Sequence, residues 1–296
     1  MKVSEGFAGV GTSTARVVEM YYPENKRLIN DPFAYRLLPF GWKVLTRLLF
    51  LPGMRELVLS LRERRMPGSL GGFLCRGRFI DDVLKRSLEE GIQQVVILGA
   101  GFDSRAYRIA GIDQAHVYEV DLPGAIDLKR MQVEKVFGAF PEHVTFVGMN
   151  FEHQKLDQAL AAAGFQVGKK TLFIWEGVTQ YLTAEAVNDT LEIVRRISGD
   201  GSAIVFTWVR RGIIDGTDCP EWLERFLPLA RRLGSPWLFG LEAAELEGYL
   251  AERGFKLMDD VGAVEYQGLY LSQIDRNLSV FEGERVAFAL VIGIAG

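Results

Sequence analysis

Cysteine and histidine are scarce in this chain. Two cysteines, Cys75 and Cys219, lie far apart with no CxxC partner, and the only histidines are His116, His143 and His153. A zinc site needs closely spaced Cys and His ligands, so no metal is expected. The thiol count suits a reducing compartment, and a cytoplasmic protein is expected. Long apolar runs are missing as well. The stretch MKVSEGFAG has no signal-peptide apolar core. Val44–Leu61 is fairly apolar but is interrupted by Arg47, Pro52, Gly53, Arg55 and Glu56 and is too short to span a bilayer, so no membrane partner is expected. Positive charge is not in excess: 34 Lys and Arg stand against 38 Asp and Glu, a net −4 that argues against non-specific nucleic-acid binding. The basic clusters Arg62–Arg65 and Arg231-Arg232 read as solvated helix faces. There is no internal repeat, low-complexity segment or linker. What remains is 296 residues, 48% hydrophobic and 24% charged, enough for one large α/β domain with additions.

The stretch that organises the chain is Gln94–Pro123, QVVILGAGFDSRAYRIAGIDQAHVYEVDLP. Gln94–Leu98 is a short run rich in valine and isoleucine, as in a buried strand of a parallel sheet. It ends in Gly99-Ala100-Gly101, a turn with little side chain that a ligand can approach closely. Asp103 and Ser104 can cap a following helix. A second strand, His116–Val120, ends on Asp121. An acidic residue about 20 positions after a glycine-rich turn suits the two hydroxyls of a ribose. The turn is neither a P-loop, since no Lys-Ser/Thr follows, nor GxGxxG, since Ser104 takes the third glycine position. A nucleoside ligand without a pyrophosphate fits better, and S-adenosylmethionine (SAM) is the common example.

Residues 1–92 read as a helical N-terminal extension. Its helices fall over Thr12–Tyr22, after Asn30-Asp31-Pro32, over Gly41–Leu49 and over Met54–Arg65. Gly71-Gly72 breaks the pattern before a last helix from about Phe73 to Glu90. These helices serve equally as a cap on a substrate pocket or as a homodimer face. From residue 93 to 296, strands alternate with helices, which implies a parallel sheet. Strands are expected at 94–98, 116–120, 144–148, 171–175 and 202–209. Helices are expected at 104–110, within 123–137, around 155–163 and over 184–197. A helix at 241–253 and strands at 255–261 and 285–292 complete the series. Residues 210–240 interrupt it with Pro and Gly punctuation and with Trp222, Phe226, Trp237 and Phe239. Such an insertion is a lid or pocket wall, or a helical excursion whose aromatics only pack. Seven strands in this order match a SAM methyltransferase sheet better than a dehydrogenase sheet.

In a doubly wound sheet the ligand crevice lies at the carboxyl ends of the strands. Those ends offer Gly99–Gly101, Asp121 with Leu122, Asn150-Phe151 and Glu176. Asp121 holds a ribose or caps a helix. Asn150-Phe151 sandwiches a purine or is a plain turn. Glu176 accepts from the ammonium of an amino-acid-like ligand or pairs with an arginine. Arg76 and Arg78 precede the sheet, and a guanidinium forks well onto a carboxylate, with Arg76 the preferred candidate. Tyr181, at the far end of the turn after Glu176, is the candidate for orienting an acceptor.

Five segments occur in order: NDPFA (Asn30–Ala34), CRGRFIDD (Cys75–Asp82), VVILGAGFDSRAYRI (Val95–Ile109), YEVDLP (Tyr118–Pro123) and FIWEGVTQYL (Phe173–Leu182). Together they resemble the leucine carboxyl methyltransferase family, and within it the bacterial branch of SAM-dependent O-methyltransferases. The resemblance runs from about Asn30 to Val209. It implies a class I SAM-dependent methyltransferase fold, Rossmann-like and doubly wound, with a seven-stranded, mostly parallel sheet. It implies SAM as cofactor, S-adenosylhomocysteine as product, and cofactor roles for Arg76, Gly99, Asp121 and Glu176. Where the branch has an Asp-Leu pair at the adenine, this chain has Asn150-Phe151, whose amide oxygen can still meet the adenine amino group. No histidine falls in a motif, which favours a small-molecule acceptor with a carboxylate or an acidic hydroxyl. The alternatives are an NAD-dependent oxidoreductase, which wants the glycine that Ser104 replaces, and a SAM-binding protein without turnover.

Overall fold

The computed structural model describes residues 4–47, 49, 51, 53–151 and 153–292. Leu48 of the expected 41–49 helix, Pro52 of the apolar stretch after it, residues 1–3 of the N-terminal stretch and 293–296 of the core lie outside the described residues. The N-terminal helices are α1 (Ser4–Glu19), α2 (Ala34–Leu37), α3 (Phe40–Arg47), α4 (Met54–Arg65) and α5 (Ser69–Glu89). The alternating part runs β1 (Gln94–Leu98), α6 (Arg105–Arg108), β2 (His116–Asp121), α7 (Pro123–Phe137), β3 (Val144–Gly148), α8 (Leu156–Ala162), β4 (Thr171–Trp175), α9 (Ala184–Ile197) and β5 (Ala203–Val209). The insertion folds as α10 (Arg211–Ile214) and α11 (Glu221–Arg232), and the chain ends with α12 (Leu246–Ala251), β6 (Phe255–Val261), α13 (Ala263–Leu269) and β7 (Glu284–Val291).

The seven strands form one sheet in the order β3-β2-β1-β4-β5-β7-β6. β1 to β5 are parallel, and β7 enters antiparallel between β5 and β6. The central strands β1, β4 and β5 are buried along their whole length, which their unbroken apolar runs anticipate. Alternate strand residues feed two cores. Val95, Ile97, Leu172 and Ile174 pack with Leu74, Ile80 and Leu84 of α5 on one face. Val96, Leu98, Phe173 and Trp175 pack with Leu191 and Val194 of α9 on the other. The strand order reverses direction between β1 and β4. In a doubly wound sheet this is where the carboxyl ends splay apart and leave a crevice.

Several expectations need correction. Gly71 and Gly72 do not break a helix but lie inside α5. A Cβ on Gly71 would collide with the carbonyl oxygen of Ser279, so glycine is there to let a C-terminal segment press against the helix. Ser104 does not cap α6 with its side chain; its hydroxyl donates to Asp31 Oδ2 at 2.6 Å. Asp103 takes the capping role, accepting from the Arg105 N–H at 2.7 Å. The expected helix at 241–253 is a 3-10 turn followed by the shorter α12. The helix α13, between the last two strands, had no expectation.

Candidate functional site

A cavity of about 380 Å³ opens at the carboxyl ends of β1 to β4. Thr12, Ser13 and Arg16 of α1 line it, as do Gly234, Ser235, Pro236 and Leu238 at the end of the insertion. Of the N-terminal helices, α1 and, through Arg76, α5 contribute to this lining.

The glycine turn sets the floor. Gly99 has φ +72°, open to glycine but strained for other residues, and a Cβ there would strike Val178. The turn folds back on β2: the N–H groups of Gly99 and Ala100 both donate to Val120 O, at 2.8 and 3.0 Å. Asp121 locks this geometry. Its Oδ2 accepts from Gly101 N at 2.6 Å and its Oδ1 from Leu122 N at 2.7 Å. Burial nevertheless outweighs those two bonds and pushes the Asp121 carboxyl above its ordinary value. Each carboxylate oxygen has a further lone pair, so two more donors from a ligand would relieve that burial. Asp121 thus serves as a turn lock, and its reserve of acceptors suits a ribose.

Beneath the turn, Lys129 of α7 carries a buried cation to within 3.2 Å of Ala100 O. Its counter-ion is Glu119 Oε1 at 2.7 Å, and Tyr107 donates to Glu119 Oε2 at 2.8 Å. Lys129 is 1% exposed and Glu119 0%. The sequence reading missed this support; the signal was Glu119 in the middle of an apolar strand, where a carboxylate requires a partner.

The opposite end of the cavity is ionic. Arg76 Nε binds Glu176 Oε1 at 2.9 Å, Nη1 binds Glu284, and Nη2 donates to Thr12 Oγ1 at 3.1 Å. Glu176 therefore does pair with arginine, and with two of them. Its Oε2 takes Arg105 Nη1 at 2.7 Å. Arg105 is the hub of the network, 1% exposed and also bound to Asp103 Oδ2 at 2.5 Å and Asp81 Oδ1 at 2.7 Å. Burial works to raise the Glu176 and Asp103 carboxyls, but the guanidinium groups outweigh it and hold both below their ordinary values. On Arg76 the balance runs the other way: burial works to lower it, and the Glu284 and Glu176 carboxylates hold it higher. Arg16 of α1 ties the cap to the turn, with Nε 2.8 Å from Asp31 Oδ2 and Nη2 donating to Phe102 O at 2.7 Å. Arg105 and Arg16 were not singled out from sequence, and Asp103 was read only as a helix cap. Arg105 and Asp103 stand inside the glycine-turn motif and were legible there as charges that a buried motif must pair.

Arg78 is a correction. It does not line the cavity; it donates to both Asp82 carboxylate oxygens, at 2.9 and 3.0 Å, and to Leu28 O at 3.2 Å. Two residues along a helix is a rotation of about 200°, so Arg76 and Arg78 point to opposite sides.

Asn150 and Phe151, after β3, line the far end of the cavity, as do Leu122, Ala125 and Leu128. Tyr181, in the turn after β4, also lines it, edge-on to Trp237 with ring centroids 6.4 Å apart. Burial pushes the Tyr181 phenol up, so it is neutral at pH 7 and a donor rather than a base. None of the three histidines lines the cavity. Among the described residues no three His, Cys, Asp or Glu side chains are grouped to hold a metal. No described helix is long and apolar enough to cross a membrane.

The donor set fits SAM in chemical order. An ionic end with both signs suits the amino-acid part, Asp121 suits the ribose, and an amide beside an aromatic ring suits the base. The fully buried Ser104, bonded to Asp31, leaves the dinucleotide fingerprint without its third glycine.

The family model described as leucine carboxyl methyltransferase matches residues 9–195. A "Putative S-adenosyl-L-methionine-dependent methyltransferase" of Mycolicibacterium gilvum is 34% identical over 193 residues, covering 64% of this chain and 61% of that protein. The match thus spans about three fifths of that relative's length. A protein of the same name from Mycobacterium tuberculosis is 30% identical over 235 residues, covering 78% of this chain and 72% of the relative. Among solved structures, a "putative methyltransferase" from Thermobifida fusca superposes with a TM-score of 0.54 at 14% identity, covering 81% of this chain and 89% of that one. A DUF574 family protein from Streptomyces avermitilis gives 0.52 at 15% identity, covering 81% and 91%. The structural likenesses bear on fold alone; with the family match, they show that this chain has the class I SAM-dependent methyltransferase fold and belongs to the leucine carboxyl methyltransferase family.

Proposed function

We propose that this protein transfers a methyl group from SAM to a carboxylate or acidic hydroxyl oxygen of a small molecule. The observation that carries the reading is the order of chemistry along one cavity: the Arg76–Glu176–Arg105 network, then Asp121 on the glycine turn, then Asn150-Phe151. SAM supplies an electrophilic methyl group on a positively charged sulfur, so the protein's task is mainly to place an oxygen in line with it. Arg76 and Glu176 hold the two charges of the amino-acid part. Asp121 accepts from the ribose hydroxyls, and Asn150 and Phe151 take the base by one edge and one face. Gly99 keeps the floor of the cavity free of side chain. Tyr181, neutral and beside Trp237, donates to the acceptor and orients it. A carboxylate acceptor is already ionised at pH 7 and asks for no base, which agrees with the absence of histidine from the lining.

The test is calorimetric titration with SAM and S-adenosylhomocysteine on the parent and on Asp121→Ala, followed by a panel of small carboxylic acids and phenols read by formation of S-adenosylhomocysteine. Micromolar binding lost in the variant, with turnover on at least one acceptor, is expected. Unchanged binding in Asp121→Ala would overturn the site. Binding without turnover on any acceptor would favour a SAM-binding protein that does no chemistry.

A further inference from the structure

The N-terminal extension turns an apolar face outward. On α4, Met54, Leu57, Val58 and Leu61 stand at i, i+3, i+4 and i+7, the spacing of a helix stripe made to be buried, yet all four are exposed, Leu57 by 53%. On α3, Phe40 and Val44 form a second exposed pair one turn apart, with Phe40 81% exposed. Cationic side chains accompany this face. Residues 40–66 carry six Lys and Arg against two Glu, a local +4 in a chain whose net charge is −4. Arg47, Arg64 and Arg65 of that set are exposed. Arg65 continues the α4 stripe by one more turn, since it follows Leu61 at i+4.

We propose that the α3–α4 face docks on an anionic lipid surface. The charges select this occupant over a second copy of the chain. A two-fold dimer would set the patch against itself and bring its excess of positive charge together, six Lys and Arg against two Glu from each copy. The centres of protein interfaces are also depleted in charge. A helix that lies in a bilayer interface has the composition seen here: apolar side chains that protrude rather than line a groove, flanked by Lys and Arg that reach the headgroups. The segment lies on the surface of the bilayer and does not cross it, which agrees with its interruptions at Gly53, Arg55 and Glu56. The sequence alone reads Arg62–Arg65 as a solvated helix face; the exposed stripe beside it gives those charges a partner.

The experiment is co-sedimentation of the full chain with vesicles of equal parts phosphatidylglycerol and phosphatidylcholine, and with pure phosphatidylcholine vesicles. Binding to the anionic vesicles is expected, falling as salt is added. It should be lost in the Leu57→Glu/Leu61→Glu variant and weakened roughly 30-fold in Arg64→Gln/Arg65→Gln. Thermal melts should match the parent, because the replaced side chains are exposed. The proposal is overturned if neither vesicle binds, or if both variants bind anionic vesicles as the parent does. It is also overturned if the parent sediments as a dimer in ultracentrifugation that Leu57→Glu/Leu61→Glu converts to monomer, because the face is then a contact between copies.

Discussion

Replacing Lys129 by Met removes the cation under the glycine turn and keeps most of its volume. Lys129 and Glu119 are both fully buried and 2.7 Å apart, so the variant leaves a carboxylate with Tyr107 as its remaining partner. Removing one member of a buried ion pair typically costs about 3–5 kcal/mol. For a chain of this length each kcal/mol lowers the midpoint of thermal unfolding by about 2–4 °C, so a loss of roughly 6–20 °C is expected near neutral pH. The pH dependence sharpens the test. Burial already raises the Glu119 carboxyl, with Lys129 as the largest opposing influence, and without Lys129 it rises further. A folded-state value above the unfolded one gives a contribution that is full below the unfolded value and is lost as pH rises through the folded one. The gap between variant and parent should therefore be smaller at pH 5 than at pH 8. Adding Glu119→Gln removes the stranded charge and should recover much of the midpoint. Scanning calorimetry of the parent, the single and the double variant at both pH values is the assay. A single variant within about 2 °C of the parent at pH 8, or a double variant no better than the single, would refute the account.

Two further predictions follow from the ionic end. Arg76→Ala should weaken SAM binding by about tenfold or more by calorimetry, whereas Arg78→Ala should leave it within about twofold, because only Arg76 reaches the cavity; equal losses would refute the assignment. The Asp81, Asp103 and Glu176 carboxyls are held below their ordinary values by Arg105 and its neighbours, against the effect of burial. Their stabilising contribution is present above the unfolded values near pH 4 and is lost as pH falls through the lower folded values. Melts should therefore fall steeply below about pH 4, and a midpoint that does not move between pH 5 and pH 3 would contradict the network.

What the sequence discloses follows the range of the interaction involved. Strands β1, β3 and β4 and helix α9 match the sequence expectations residue for residue, and α7 fills the window expected to hold it, because each is marked by local signals: a largely apolar run of five residues, Pro123 at a helix start, Thr183 as an N-cap. Asp121 and Gly99 were legible because the turn, the strand and the acid are one continuous motif. Arg105 was not, although it sits inside that motif, because its meaning lies in Asp81 and Glu176, 24 and 71 residues away. Arg78 fails for the opposite reason: it shares its sequence context with Arg76, two positions away, but only Arg76 of the two lines the cavity. Gly71 shows the same limit in backbone form, since the pressure that requires glycine comes from Ser279, more than two hundred residues on. Local pattern therefore locates a ligand crevice through strand ends, while the charges that tune it are set by pairings the linear order does not display. A buried Arg, Lys, Asp or Glu in an apolar stretch is the one sequence sign that such a pairing exists, because its burial without a partner is too costly to persist.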